Sequence, residues 1–138
     1  MENKKIKWLI YTVLVGLIPI LSRIMIWVVT KPGTISFLST SDFISFGLIL
    51  HISNINEIEH LGSDNKQWKT IQNGTSIAFI ALYSVLFSLN IVNESNASII
   101  DIFSIRVCAI VLSVISFLIS FSVFHRISII NQIEAKND

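Results

Sequence analysis

The sequence predicts an all-α, polytopic membrane protein with four transmembrane helices, both termini in the cytoplasm, and a homo-oligomeric assembly. Of its 138 residues, 52% are hydrophobic and only 14% are charged, whereas a soluble domain carries about 25% charged residues. The apolar residues form four blocks, each close to the roughly 20 residues that cross a bilayer core. Basic residues flank these blocks asymmetrically. The composition excludes a soluble globular enzyme and, because there is no basic excess, direct nucleic-acid binding.

The four blocks are predicted to form one transmembrane domain. Backbone polar groups in lipid must be satisfied within the segment, so each span is expected to be helical. A polar inner loop, 60–74, joins the second and third spans. In the tail, isoleucines spaced by three indicate that the fourth helix continues into the cytoplasm or lies on the headgroups. The predicted spans are 8–29, 41–59, 75–92 and 99–124, followed by a cytoplasmic tail at 125–138.

Basic residues mark the predicted cytoplasmic side. On the opposite side of the membrane this topology leaves Lys31 as the one basic loop residue. The positive-inside rule therefore places both termini in the cytoplasm. The basic residues on the predicted cytoplasmic side are Lys4, Lys5, Lys7, Lys66, Lys69, Arg126 and Lys136.

Polar residues near the outer ends of the spans are predicted to form an intramembrane charge layer. A charge in hydrocarbon costs at least about 2.5–3.5 kcal/mol, so each one needs a partner or a function. One interpretation is a paired network, with Arg23–Asp42 and Arg106–Asp101 or the exchanged pairs. The other is that each arginine reaches independently to headgroup phosphates. The layer comprises Arg23, Asp42, Asn90, Asp101 and Arg106.

The second span carries a stripe of polar side chains that would not face lipid. At about 100° per residue, the stripe lies within about 60° of one direction, with His51 opposite it near Gly47. It is expected to face the bundle, a water-filled cavity or another subunit. One interpretation is a pore or polar groove, and the other is interhelical hydrogen bonds worth about 0.6 kcal/mol each. Besides Asp42, the stripe comprises Ser45, Ser53, Asn56, Glu57 and His60.

No metal, cofactor or catalytic set is predicted. Glu57 and His60 have the spacing of half a di-iron carboxylate site. Such a site needs the motif twice, and the sequence has no second copy, so the match is interpreted as chance.

Small residues on the third and fourth spans are expected to let helices approach closely. Because four short helices have little interior, part of this small-residue surface is expected to mediate homo-oligomerisation, for example as a tetramer. The two stripes are Ala81, Ser84 and Ser88 on the third span, and Ala109, Ser113, Ser116 and Ser120 beside Arg106 on the fourth.

The start of the second span resembles a family of bacterial defence proteins. The run from Asp42 to His51, DFISFGLILH, followed by Asn54 and Glu57, is similar to a pattern in KwaA-type membrane components of the two-gene Kiwa anti-phage system. The resemblance implies an oligomeric sensor of membrane perturbation in the bacterial inner membrane, coupled to a cytoplasmic DNA-binding partner. It also implies docking through the inner loop and tail, where the candidate residues are Lys66, Trp68, Lys69 and Arg126.

We therefore expect a non-enzymatic membrane sensor or scaffold of anti-phage defence. Two alternatives remain open. One is a small pore-forming or ion-conducting effector, in which second spans from several copies line a channel. The other is an accessory subunit of a membrane complex.

Overall fold

The computed structural model describes residues 7–62 and 65–137, and every regular element within those ranges is helical. The all-α class predicted from the sequence is therefore confirmed. The first helix opens with a π-helical segment that runs directly into an α-helix. The elements are the π-helical segment Leu9–Leu14, α1 (Val15–Val29), α2 (Thr40–Glu59), α3 (Lys66–Ser95) and α4 (Ile102–Asn137).

Three of the helical segments are long and apolar enough to cross a membrane: Ile10–Val29, Lys66–Ser95 and Ile102–Ile133. Only 11%, 17% and 33%, respectively, of their most apolar stretches are buried, so most of their apolar side chains face outward. Soluble monomers rarely expose contiguous apolar patches larger than a few hundred Å². Lipid suits such surfaces, and the fold indicates a membrane protein. α2 is more polar and is not among the three.

The ends of α2 agree with the span predicted from the sequence, whereas the ends of α3 and α4 differ from their predicted spans. α3 begins at Lys66, inside the stretch predicted as a polar loop, because hydropathy marks the apolar part of a helix and not its full length. α4 begins at Ile102, since the carboxylate of Asp101 accepts a hydrogen bond from the Phe103 N–H at 3.1 Å and caps the helix there. At its far end α4 continues through the tail, as the isoleucine spacing predicted.

α2 is the central helix and contacts all the other helices. Against it, the first helix runs antiparallel. Thr12 Oγ1 lies 3.1 Å from Ser53 Oγ near one end of the pair, and Arg23 forms an ion pair with Asp42 near the other. The two polar contacts therefore fix the register of the first helix on α2.

α2 and α4 run parallel, with α3 returning between them. His51 contacts Ser116, and one turn further along both helices Asn54 contacts Ser120. A short connection after α2 sends the chain back along the bundle as α3. The start of the first helix, the end of α2, the start of α3 and the later part of α4 consequently share one end of the bundle.

That shared end carries most of the described basic residues, and we call it the basic end. Trp8 stacks on Phe124 with 4.5 Å between ring centroids, which joins the first helix to α4. The Arg126 guanidinium lies 4.8 Å from the centre of the Trp68 ring, which joins α4 to α3. The described basic residues there are Lys7, Lys66, Lys69, Arg126 and Lys136.

Candidate functional site

The middle of the bundle holds a hydrogen-bonded cluster of polar side chains from α2, α3 and α4. At its centre is His51, which is fully buried. Its Nδ1 lies 3.3 Å from Ser76 Oγ, and its Nε2 lies 2.9 Å from Ser116 Oγ. The Tyr83 hydroxyl lies 2.8 Å from the same Ser116 oxygen. We call the cluster the buried polar network: His51, Asn54, Ser76, Tyr83, Ser116 and Ser120.

The network continues one helical turn toward the basic end. Asn54 Nδ2 donates to Ser120 Oγ at 2.9 Å, and both side chains are fully buried. The ring of Phe79 stacks on the imidazole of His51, with 4.7 Å between centroids. The polar centre is thus enclosed by an aromatic side chain as well as by the three helices.

The hydrogen bonds around Ser116 are satisfied when they all run in one direction, from Tyr83 toward Ser76. Tyr83 O–H donates to Ser116, Ser116 O–H donates to Nε2 of His51, and Nδ1–H of His51 donates to Ser76. In the reverse order the Tyr83 proton would lack an acceptor in the part of the chain that the structure describes. In the direction from Tyr83 toward Ser76, the His51 ring donates through Nδ1 and accepts at Nε2, so the imidazole is neutral.

Gly47 lets the Tyr83 side chain lie directly on the backbone of α2. A Cβ atom at position 47 would stand 2.0 Å from Tyr83 Cζ and 2.2 Å from its hydroxyl oxygen. Tyr83 is itself fully buried, so the rigid ring has little room to move. This close approach brings the hydroxyl within reach of α4.

Chemically, the network cross-links three helices. Ser116 and His51 have the spacing of a nucleophile and its base, but both are fully buried, so a substrate would reach Ser116 only if the helices separated. Interhelical hydrogen bonds in membranes stabilise by about 0.6 kcal/mol each on average. Their more specific effect is on register, because shifting one helix would strand several buried polar groups at once.

The predicted charge layer contains one ion pair. Arg23 Nε donates to Asp42 Oδ2, with the two side chains 29% and 12% exposed. The expected Arg106–Asp101 pair does not form. Arg106 Nε is buried without a hydrogen-bond partner. Asp101 instead accepts hydrogen bonds from Ser104 Oγ at 2.6 Å and from the Phe103 N–H.

Two further members of the layer, Asp101 and Asn90, are satisfied by residues close in the sequence. The hydrogen bonds from the Ser104 hydroxyl and the Phe103 N–H hold the pKa of Asp101 below its usual value. Asn90 Nδ2 donates to Glu94 Oε1 within α3 at 3.1 Å. The interpretation as a joined network therefore fails beyond Arg23–Asp42, because Asp101 and Asn90 bond to residues near them in the sequence. Within the described residues, Arg106 Nε has no hydrogen-bond partner.

The predicted polar stripe of the second span is not the face that α2 presents to the centre of the bundle. Ser45 and Glu57 are half-buried, Ser53 meets Thr12 of the first helix, and Asn56 and His60 are exposed. The central face is the neighbouring one, described above. Of the surroundings expected for the stripe, Ser53 meets the bundle through the first helix and Glu57 lines a cavity at the basic end, while Asn56 and His60 are exposed.

The face that sequence reasoning missed has a recognisable spacing. On α2, Gly47, His51 and Asn54 follow intervals of four and three residues, which place them on one side of a helix. On α3 the buried polar or amphipathic residues recur every seven residues. Those residues are Ser76, Tyr83 and Asn90.

The two small-residue stripes have different surroundings. On α4, the packing prediction is confirmed, because Ala109, Ser113, Ser116 and Ser120 are all buried. On α3, by contrast, the stripe lies on the outside. Its residues Ala81, Ser84 and Ser88 are exposed.

The candidate docking residues lie together at the basic end. Lys66 is exposed. Lys69 Nζ donates to the carbonyl oxygen of Leu61 at 2.8 Å, which ties α3 to the end of α2. Trp68 packs against the apolar cluster of Ile58, Val123 and Ile127, with Arg126 over its ring. Three of the four therefore also hold the helix ends together.

The fold and the buried polar network define a helical membrane protein with a polar central helix. Comparisons with protein-family models, with characterised proteins and with solved structures found no match.

Proposed function

We propose that all four helices cross the bacterial inner membrane, with the basic end in the cytoplasm. α2 has 20 residues, which gives a length of about 30 Å and matches a bilayer core. Neighbouring helices supply partners for three of its polar side chains. Arg23 pairs with Asp42, Ser116 contacts the His51 ring, and Ser120 accepts from Asn54 Nδ2. A central helix can thus be more polar than the three around it.

The function that this arrangement supports best is that of a non-enzymatic sensor or scaffold in anti-phage defence. The observation that carries it is that polar contacts bond α2 to the first helix, α3 and α4, partly buried in the first case and fully buried in the other two. A change in bilayer packing that shifts the outer helices would strain these bonds and move α2, whose end lies at the basic end. The resemblance of the run from Asp42 to His51 to KwaA-type proteins supports the defence setting.

The proposed docking surface for a cytoplasmic partner, a DNA-binding protein in the KwaA-type setting, is the basic end. Lys66 and Arg126 are exposed there. Because Arg126 also stacks on Trp68, a partner that engages Arg126 would contact the α3–α4 junction directly.

We further propose that the protein is a homo-oligomer, for example a tetramer, which contacts its copies through α3. The exposed hydroxyls of Ser84 and Ser88 bond to carbonyl oxygens of their own helix, so they need no water. Together with Ala81 they form a flat strip on which a second helix backbone could approach closely.

A pore is the second candidate, and the contacts of the first helix argue against it. A channel lined by the α2 stripe needs a continuous wet path, but Ser53 is bonded to Thr12 and Asp42 to Arg23. Purified protein in planar bilayers is therefore expected to show no conductance above the lipid background. Conductance that Glu57→Ala alters would instead support the pore.

The proposed function is tested by phage challenge of cells that carry this gene with its neighbouring genes. We expect plaque formation to fall, and the double variant Lys66→Glu/Arg126→Glu to restore it at unchanged protein level. Lys31→Glu, an exposed charge reversal at the opposite end of the bundle, serves as the control and should keep protection. Protection that is absent, or that survives the double variant, would contradict the proposal.

A further inference from the structure

A cavity of about 270 Å³ lies at the basic end, between the start of the first helix, the end of α2 and the later part of α4. One wall is aromatic and is formed by Trp8 and Phe124, which stack on each other. The other side is polar and includes Ser128 and Asn131. The cavity belongs neither to the buried polar network nor to the charge layer.

Two opposite charges line this cavity without pairing with each other. Lys7 comes from the first helix and Glu57 from α2. In residues 7–62 and 65–137 the one ion pair is Arg23–Asp42, at the far end of the bundle. Lys7 and Glu57 therefore each remain able to bind a group of opposite charge inside the same cavity.

The position of the cavity suits a lipid headgroup. Tryptophan side chains concentrate at the level where the hydrocarbon core meets the headgroups, and Trp8 forms part of the wall. On the proposed topology this level is that of the inner leaflet. A ligand there would have its charged part beside Lys7 and Glu57 and its apolar part directed along the lipid-facing helices.

We propose that the cavity binds the headgroup of a zwitterionic phospholipid with a primary ammonium, that is, phosphoethanolamine. The Lys7 ammonium pairs with the phosphodiester, and the Glu57 carboxylate accepts hydrogen bonds from the ammonium of the lipid. A choline headgroup has no N–H to donate, and a glycerol headgroup has no cation. The proposal rests on the membrane placement and is independent of a role in defence.

The test is native mass spectrometry of the full chain, purified in detergent and mixed with equal amounts of phosphatidylethanolamine, phosphatidylcholine and phosphatidylglycerol of the same acyl chains. A hydrogen bond to a charged group contributes about 1.5–3 kcal/mol, so we expect at least about tenfold more bound phosphatidylethanolamine than phosphatidylcholine. Glu57→Gln should bring that ratio close to one, while Lys7→Gln should lower binding of all three lipids.

Matched controls lie close to the site. Glu59→Gln changes an exposed carboxylate on the same helix that does not line the cavity, and Lys136→Gln changes an exposed lysine at the end of α4. Both should keep the wild-type preference. Equal retention of the three lipids, or an unchanged ratio in Glu57→Gln, would overturn the proposal.

A second measurement needs no change at Glu57. In a Trp27→Phe/Trp68→Phe variant, Trp8 is the remaining tryptophan, and its fluorescence reports on the cavity wall. Brominated phosphatidylethanolamine should quench it several-fold more at a given lipid fraction than brominated phosphatidylcholine. Equal quenching by the two lipids would refute the site. If the purified protein prefers phosphatidylethanolamine but the gene gives no protection against phage, only the proposed defence function is refuted.

Discussion

Replacing Gly47 by alanine tests the close contact between α2 and Tyr83. The added Cβ would stand 2.0 Å from Tyr83 Cζ, far inside van der Waals contact. The ring is fully buried, so it moves only by disturbing its neighbours. Displacing it would also break its hydrogen bond to Ser116.

The expected cost follows from three contributions. Overpacking a well-packed interior costs about 1–3 kcal/mol. Losing the Tyr83–Ser116 hydrogen bond costs about 0.6 kcal/mol in a membrane bundle. Replacing a glycine within a helix by alanine returns up to about 1 kcal/mol. We therefore expect Gly47→Ala to lower the free energy of unfolding by about 1–3 kcal/mol.

The assay is unfolding in mixed micelles at increasing fractions of denaturing detergent. Gly74→Ala is the matched control, because a Cβ there would meet nothing within 4 Å, and it should be neutral or stabilising. In a Tyr83→Ala background the cost of Gly47→Ala should largely disappear. A Gly47→Ala protein as stable as the wild type, or a cost that persists without the Tyr83 ring, would refute the reasoning.

Three further predictions use the same assay. Arg23→Leu strands the carboxylate of Asp42, whose side chain is 12% exposed, and should cost about 1–3 kcal/mol once partial exposure is allowed for. Arg106→Leu removes no hydrogen bond of Nε and should change stability by less than about 1 kcal/mol. Ser116→Ala breaks the contacts to His51 and Tyr83 and should cost about 1–2 kcal/mol. Ser113→Ala is the control and should cost less, because the Ser113 hydroxyl bonds within its own helix. Equal costs for the two variants would contradict the cross-linking role of Ser116. The pKa of Asp101 is lowered in the folded protein, so the ionised carboxylate stabilises the fold above the usual aspartate pKa. This stabilisation should decline as the pH falls through the lowered pKa. Asp101→Ala should remove this pH-dependent part, and a variant with the wild-type pH profile of stability would contradict the capping role.

The sequence predicted the helices well, because apolar blocks in lipid have few alternatives. It predicted the helix ends less well, since Lys66 and Trp68 extend α3 through polar residues that hydropathy does not detect. The start of α4 depended on a local cap at Asp101, whose competition with a distant arginine could not be judged from spacing alone.

The side of α2 that faces the centre of the bundle is the part of the site that the sequence reasoning did not identify. Counting polar residues favoured the side with Ser53, Asn56 and Glu57, although solvent at a helix end satisfies such groups as readily as a bundle does. The side with Gly47 and His51 has fewer polar residues but includes the glycine that admits Tyr83. Which side packs inward depends on the shape of the partner helix, and that information is distributed over α3 and α4.

The most direct measurement is the number of times the chain crosses the membrane. In a Cys108→Ser background, single cysteines replace exposed residues in or beside each connection and near the end of α4: Thr34, Lys66, Asn96 and Lys136. A membrane-impermeant maleimide should label Thr34→Cys and Asn96→Cys in intact spheroplasts, and Lys66→Cys and Lys136→Cys only after permeabilisation. Labelling of Thr34→Cys and Lys66→Cys from the same side would show that α2 does not cross, and would contradict the four-span bundle with a polar central helix.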